Sequence, residues 1–370
     1  MFAPESSPLF TPYRDPGGQT FYILTRRAAP QQQAFYFVND SCSPDGRYLW
    51  LYASFPPAGG MEQHSLAVAD LLENEVRVFH DAQFWAASPL LERGTDCALY
   101  TWENAIYRRS PRAGEPAEEL LRVPARGLCQ AISTHLTCSP DGRELFLDRR
   151  MGNRRFDFGS VNLETGVYTP WREADFYFKH GQFNPVDGDL ALVAKDFWVD
   201  LETGERQPIP TVDGVYERLW VCTRGGRMTR YAPLGGYATH EWWGAGGECF
   251  YYCSPEGIAR QAVSGGAPER VHACRPWHAF SSRDESRFVY DQVCPAPGEA
   301  FYRGVASSVR LFDARTGEDR VICTLNPSLC SPERPNNYHI DPHPRFIMND
   351  RYVVFTTTVL GRVDLAVAPV

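Results

Sequence analysis

The sequence has no CxxC pair among its eleven cysteines, and eleven is an odd number. That excludes a complete disulfide framework and a cysteine-rich zinc module, so most cysteines are expected to be reduced packing residues. Positive charge is also short: 37 Lys and Arg against 45 Asp and Glu leave a net charge of −8. This balance argues against a nucleic-acid binder that works by broad phosphate neutralisation. No apolar run approaches the ~20 residues needed to span a bilayer. The opening MFAPESSPLF also lacks the basic stretch and apolar block of a secretion signal. The expectation is a cytoplasmic protein with no membrane and no nucleic-acid partner. Amphipathic helical periodicity is nearly missing, with one fair candidate over residues 116–122.

What is present is a large apolar fraction and a repeat. At 43% hydrophobic and 13% aromatic, 370 residues can bury a substantial core. A tetrad resembling Ser-Pro-Asp-Gly, followed by four or five β-formers, recurs seven times. Clear copies begin at Ser43 and Ser139, weaker ones at Asn184, Gly244, Ser282 and Ile347, and a degenerate one near Glu92. The mean spacing of about 51 residues suits a four-stranded propeller blade. A second signature spans Asn162 to Gly166, Asp200 to Gly204 and Asp313 to Gly317. It is expected to form the turn between the outer two strands of a blade, where glycine relieves left-handed backbone strain. The pattern predicts an all-β fold, a seven-bladed β-propeller of four-stranded antiparallel blades, with residues 1–370 as one domain. A pair of β-sandwiches is the alternative, but it gives no reason for sevenfold spacing.

Five of the nine histidines, His135, His180, His240, His278 and His343, lie four residues ahead of a tetrad. Fewer than one is expected by chance at seven equivalent positions. Each would begin the innermost strand of its blade, and such positions converge on one mouth of the central channel. The plainer alternative is a repeat histidine that bonds the backbone of a neighbouring blade. His64, His80 and His272 fall out of phase and are expected to be ordinary surface or core residues.

In an extended segment, His339, Asp341 and His343 share a face. With His278 they offer nitrogen and oxygen ligands for a divalent metal, with Mn²⁺, Zn²⁺ or Ca²⁺ as options. Otherwise Asp341 caps a turn before Pro342 and His339 faces solvent. The basic run containing Arg149, Arg150, Arg154 and Arg155 is expected at the same mouth, with Tyr302 and Arg303 from the loop after Cys294. Arginine binds carboxylates bidentately, which suits an anionic ligand. A solvated charge run paired with nearby acids accounts for it equally well.

Four segments, His180-Gly-Gln-Phe-Asn-Pro185, His240-Glu-Trp-Trp243, Trp277-His-Ala-Phe-Ser-Ser282 and Asp341-Pro-His-Pro344, carry a likeness. In order and in phase, they make the chain resemble the oligogalacturonate lyase family of polysaccharide lyases, which are similar in fold to TolB-type propellers. The resemblance implies a cytoplasmic enzyme that binds manganese through histidines and a glutamine and cleaves short 4-linked uronate oligosaccharides by β-elimination. It further implies His278 and His343 as metal ligands, His240 as the Brønsted base and Arg218 as a substrate carboxylate or catalytic contact. The chain departs from the family at the metal. Asp341-Pro342-His343 stands for His-Pro-His, and Tyr338 stands where a glutamine is expected, with His339 as a candidate replacement ligand.

The candidate catalytic residues are therefore His240, Arg218 and His180. Candidate substrate contacts are Arg149, Arg150, Arg154, Arg155, Arg303, Tyr302, His135 and Gln182, and candidate metal ligands are His278, His343, His339 and Asp341. Tyr302, Tyr338 or water would protonate the leaving oxygen. Of Trp242, Trp243 and Trp277, at least two are expected in blade cores.

The expected partner is an acidic oligosaccharide, and the chain a monomer or homodimer. Asp-Pro-His-Pro-Arg is also similar to propeller lyases acting on other uronate polymers such as ulvan. A non-catalytic propeller that binds a protein or saccharide is the competing class. A hydrolase, wanting two carboxylates across the pocket, fits least.

Overall fold

The computed structural model describes residues 2–55, 64–84, 87–123, 132–293, 306–329 and 340–370. They form seven antiparallel sheets arranged as the blades of a propeller, with two extra two-stranded hairpins. Blade 1 runs from Gln31 to Phe84, blade 2 from Leu90 to Arg122 and blade 3 from Thr137 to Ala174. Blade 4 runs from Phe178 to Tyr231, blade 5 from Thr239 to His272 and blade 6 from Pro276 to Asn326.

Blade 7 is five-stranded. Arg345–Ile347, Tyr352–Thr357 and Asp364–Pro369 come from the C-terminal end, while Thr20–Leu24 and Phe10–Arg14 come from the N-terminal end. Tyr22 pairs with Val367 and Ile23 with Ala366, so the first and last parts of the chain close the ring through one sheet.

All seven tetrads fall in the turn that enters a second strand, such as Tyr48–Ser54, Glu144–Arg150 and Arg287–Val293. The clear copies share one hydrogen-bond set. The Ser43 hydroxyl donates to Asp45 and accepts from the Tyr48 N–H at 2.9 Å, and Ser139 repeats this with Asp141 and Glu144. Gly46 and Gly142 take positive φ there, as the turn requires. The second strands lie between neighbouring blades, so both faces are apolar, as in the wholly buried YLWLYAS of blade 1. Seven hydrophobic clusters each join two adjacent blades, so burial closes the circle without a single central core.

Two local expectations are corrected. Residues 116–122 form no helix: Glu118–Arg122 is the outer strand of blade 2, paired with Ala105–Arg109. Seven residues are too few for a stable isolated helix, whereas the edge pairing half-buries Leu120 and Leu121 against the core between blades 2 and 3. The Asn162 and Asp313 turns do join the outer strands of their blades. The Asp200 turn instead joins Trp198–Val199 to Arg206–Gln207, a hairpin inserted in blade 4. The turn code is local and specifies a hairpin whether or not it belongs to a blade. A second inserted hairpin, Thr211–Val212 with Val215–Tyr216, follows before the chain re-enters the sheet at Leu219–Thr223.

Candidate active site

Side chains alternate along a strand, so bringing an imidazole to the channel mouth requires a break in the alternation. The break is a β-bulge. The innermost strands of blades 4, 5 and 6 slip register between Lys179 and Gln182, Thr239 and Trp242, and Pro276 and Ala279. His180 and His240 take φ of 56° and 50°, and His343, ahead of the innermost strand of blade 7, takes 45°. This left-handed conformation costs a non-glycine residue about 1–2 kcal/mol. Such strain is characteristic of positions where orientation matters more than local stability. Glycine follows His180 because a Cβ at Gly181 would overlap the Phe146 ring.

The imidazoles converge. The His240 and His278 ring centroids are 4.0 Å apart, His278 and His343 4.3 Å, and His135 and His180 5.3 Å. Tyr36, from the segment after the first strand of blade 1, sits among them, 5.1 Å from the His343 ring and 5.4 Å from that of His135. Phe37 lies 5.4 Å from the His278 ring, and its carbonyl accepts a 2.7 Å bond from Arg345. That bond ties the Tyr36-Phe37 segment to Asp341-Pro-His-Pro-Arg345. The cavity above measures about 870 Å³, and His180, His240, His278, His343, Asp341, Arg218 and Trp277 all line it.

Ligand atoms of His278, Asp341 and His343, all buried, lie within 4.8 Å of one another. Nε2 of His278 and Nε2 of His343 each stand 4.0 Å from Oδ2 of Asp341. His278 donates from Nδ1 to Asp291 at 2.9 Å, and its backbone N–H donates to the same carboxylate at 2.6 Å. With Asp291 as the acceptor, Nδ1 carries the proton and the lone pair of Nε2 turns toward Asp341. Two imidazoles and a carboxylate, with an outer carboxylate orienting one ring, fit a divalent cation.

His240 directs Nδ1 at the Trp277 carbonyl, which can only accept, so Nδ1 carries the proton and Nε2 holds a lone pair. Burial, with His278 and Arg218 adding positive charge nearby, pushes its pKa well below the usual histidine value. The ring is therefore neutral at ordinary pH. Arg218 is buried between Asp196 and Glu241, 3.1 Å from each. Asp196 also lies 3.5 Å from Lys179 and 3.7 Å from Nε2 of His180. Burial alone would raise the Asp196 pKa, but Arg218 and Lys179 outweigh it and hold the carboxyl well below its usual range.

His135 is buried beneath this cluster against Tyr36 and His180, and is not part of the cavity wall. Gln182 is a strut: its side chain donates to the Glu241 carbonyl at 2.8 Å, and its own carbonyl accepts from Trp243. Arg149, Arg150, Arg154 and Arg155 do not line the cavity, contrary to expectation. Arg149 is consumed by Asp157, Arg150 by the carbonyls of Gly152 and Val199, Arg154 by Asp200 and Arg155 by Glu173. Acidic partners in blade 3 or on the inserted hairpin hold Arg149, Arg154 and Arg155, and backbone carbonyls hold Arg150. Trp242 and Trp243 are buried in blade cores, and Trp277 lines the cavity. His339, Tyr338, Tyr302 and Arg303 lie outside the described residues.

His64, expected to be ordinary, lines the cavity from blade 1, packed against Phe84 and Tyr52. Sequence reading also missed Lys179, Asp196, Asp291 and Tyr36. One signal was available for Asp291: it and Asp148 are acidic residues nine positions after a tetrad start, each directly after a run of three apolar residues in a second strand. Asp148 performs an analogous task in blade 3. It accepts from the Thr134 N–H and hydroxyl at 2.7 Å and from the Gly181 N–H at 3.2 Å, and so braces the bulge that carries His180.

No family model matches this chain, and no curated protein matches it. Solved structures do. The chain is a seven-bladed β-propeller closely resembling oligogalacturonate lyase in fold. A crystal structure of oligogalacturonate lyase from Vibrio parahaemolyticus superposes with a TM-score of 0.75 at 16% identity, covering 98% of this chain and 96% of that one. An oligogalacturonate lyase in complex with manganese gives a TM-score of 0.75 at 19% identity, with the same coverage. At these identities the likeness is one of fold, and the chemistry must be argued from the residues described above.

Proposed function

We propose that this chain is a lyase that cleaves short 4-linked uronate oligosaccharides, of the oligogalacturonate type, by metal-assisted β-elimination. The observation that carries the reading is the pairing, in one cavity, of a neutral His240 with the His278, Asp341 and His343 donor set. In this chemistry a base removes the C5 proton beside the sugar carboxylate, the C4–O bond breaks, C4=C5 forms, and the departing oxygen takes a proton. The carbanion is the obstacle. A divalent cation, Mn²⁺ by analogy with the manganese-bound neighbour, supplies Lewis-acid stabilisation of the carboxylate when bound.

The chain's own residues supply the rest. Nε2 of His240 accepts the C5 proton, its Nδ1–H held on the Trp277 carbonyl so that the lone pair is aimed. Arg218, locked through Nε by Glu241 and through Nη1 by Asp196, lines the cavity, where its remaining Nη2 can hold a carboxylate oxygen of the substrate. His180, fixed by Asp196 and by its own N–H to Thr134, borders the same space and positions the sugar. Trp277 lines the same space and can pack against a sugar face. Cytoplasmic location and a single folded domain belong to the same proposal.

The test is incubation of Mn²⁺-loaded protein with di- and trigalacturonate, followed by ultraviolet absorbance of the conjugated unsaturated uronate. Product formation is expected. A folded, metal-loaded protein that forms no such product from any uronate oligomer, ulvan fragments included, sinks the lyase reading and favours a binding propeller.

A further inference from the structure

The cavity's charge does not match a polyanionic ligand. Lys179 and Arg218 are already offset by Asp196 and Glu241, and Asp341 adds a negative charge. A divalent cation at the triad corrects this for one carboxylate only, yet every further uronate brings another. Two more cations line the cavity, Arg206 and Arg275, and both are exposed. Among the described residues neither has a carboxylate within 4.0 Å, unlike Arg149, Arg154 and Arg155.

Their placement is specific. Arg206 lies on the hairpin inserted in blade 4, opposite Val199, with its guanidinium 3.8 Å from the centroid of the Phe197 ring. Phe197 lines the cavity as well. A guanidinium held over an aromatic face can keep its N–H groups available, which lowers the ordering cost of a bidentate bond to an anion. Arg275 immediately precedes the innermost strand of blade 6, Pro276–Ser281, which carries His278.

We propose that Arg206 and Arg275 form an outer carboxylate subsite at the cavity mouth that holds the uronate next to the one undergoing chemistry. The inserted hairpin of blade 4 then sets specificity. It makes the enzyme select free-acid oligomers over esterified or neutral ones, and require at least a second charged sugar. This rests on the lyase reading for its substrate, but its binding component can be measured separately.

The experiment compares Mn²⁺-loaded wild type with Arg206→Ala, Arg275→Ala, the double variant and Arg206→Lys. The readouts are initial rates on digalacturonate and on digalacturonate methyl-esterified at the sugar not attacked, with calorimetric binding of digalacturonate alongside. Each alanine variant is expected to lower kcat/KM on the free acid about tenfold, the scale of one charge-assisted hydrogen bond, through KM, with a flatter salt dependence. Arg206→Lys recovers part of the loss. The ester costs wild type a similar factor and leaves the double variant indifferent.

Wild-type kcat/KM in both single variants, or equal ester discrimination in wild type and double variant, overturns the subsite. If wild type binds digalacturonate but does not turn it over, weaker binding by the variants supports the subsite while the lyase reading falls. Absence of binding by every form overturns both.

Discussion

Asp291 receives two hydrogen bonds from a single residue, His278: the ring Nδ1–H at 2.9 Å and the backbone N–H at 2.6 Å. One carboxylate thereby sets the position of the bulged backbone and the tautomer of the imidazole together. Asp291 is buried and does not line the cavity, so it acts through His278 as a positioning residue. Asp291→Asn is expected to weaken Mn²⁺ binding by 10- to 100-fold, the usual effect of losing an outer-shell partner. Titration calorimetry of the chelator-stripped protein reads this directly. His343→Ala should weaken binding at least as much, and equal affinity in wild type and Asp291→Asn would deny the triad its metal role.

His240 is neutral and aimed by the Trp277 carbonyl, which are the two requirements of a general base. His240→Ala should cut turnover of digalacturonate by about 10²- to 10⁴-fold. Circular dichroism and metal content should match wild type, since the imidazole is not among the three donors. Persisting turnover would move the base to another residue, with His180 next in line.

Arg218 is a different case, because its removal strands the buried Glu241 and leaves Asp196 with Lys179 as its remaining cation. Losing one member of a buried ion pair costs about 3–5 kcal/mol. Arg218→Ala is therefore expected to unfold at a distinctly lower urea concentration than wild type, and Arg218→Lys to recover part of the difference. Pairing Arg218→Ala with Glu241→Gln should cost less than the sum of the two single changes, since the second change removes the stranded charge. Strictly additive losses would show that the network contributes nothing as a unit.

The blades and their phase were legible because a tetrad is a local code. Ser43, Asp45 and Tyr48 close their turn with their own hydrogen bonds, so nothing distant is needed to recognise it. The phased histidines were legible for the same reason, since four residues before a turn is a fixed place on an innermost strand. What surrounds them was not. Lys179 and Arg218 meet at Asp196 across a sheet, and Tyr36 reaches His343 from the opposite end of the chain.

The arginine run at 149–155 failed as a signal because charge density says nothing about pairing. Asp157 and Asp200 absorb it. Arg206 was overlooked although its hairpin turn, Asp200 to Gly204, was recognised. The turn motif names a hairpin and is silent on where the hairpin lies.

The three donors to Asp148 favour its charged carboxylate, while its burial opposes it. Burial wins, and the pKa rises from 3.8 to about 6. A carboxyl whose folded pKa lies above its unfolded one holds its proton more tightly when folded. Its contribution is thus fully present below about pH 4 and lost as pH climbs to about 6. A rise from 3.8 to about 6 corresponds to roughly 3 kcal/mol.

Asp148→Asn cannot titrate, so its urea-unfolding free energy should lack that slope. The gap between wild type and variant should narrow between pH 4 and 6 and then stay constant. The variant starts with a deficit, because an amide cannot accept all three bonds from Thr134 and Gly181. Parallel wild-type and variant curves across that window would mean that Asp148 is ionised throughout, and that its hydrogen bonds, not its burial, decide its charge.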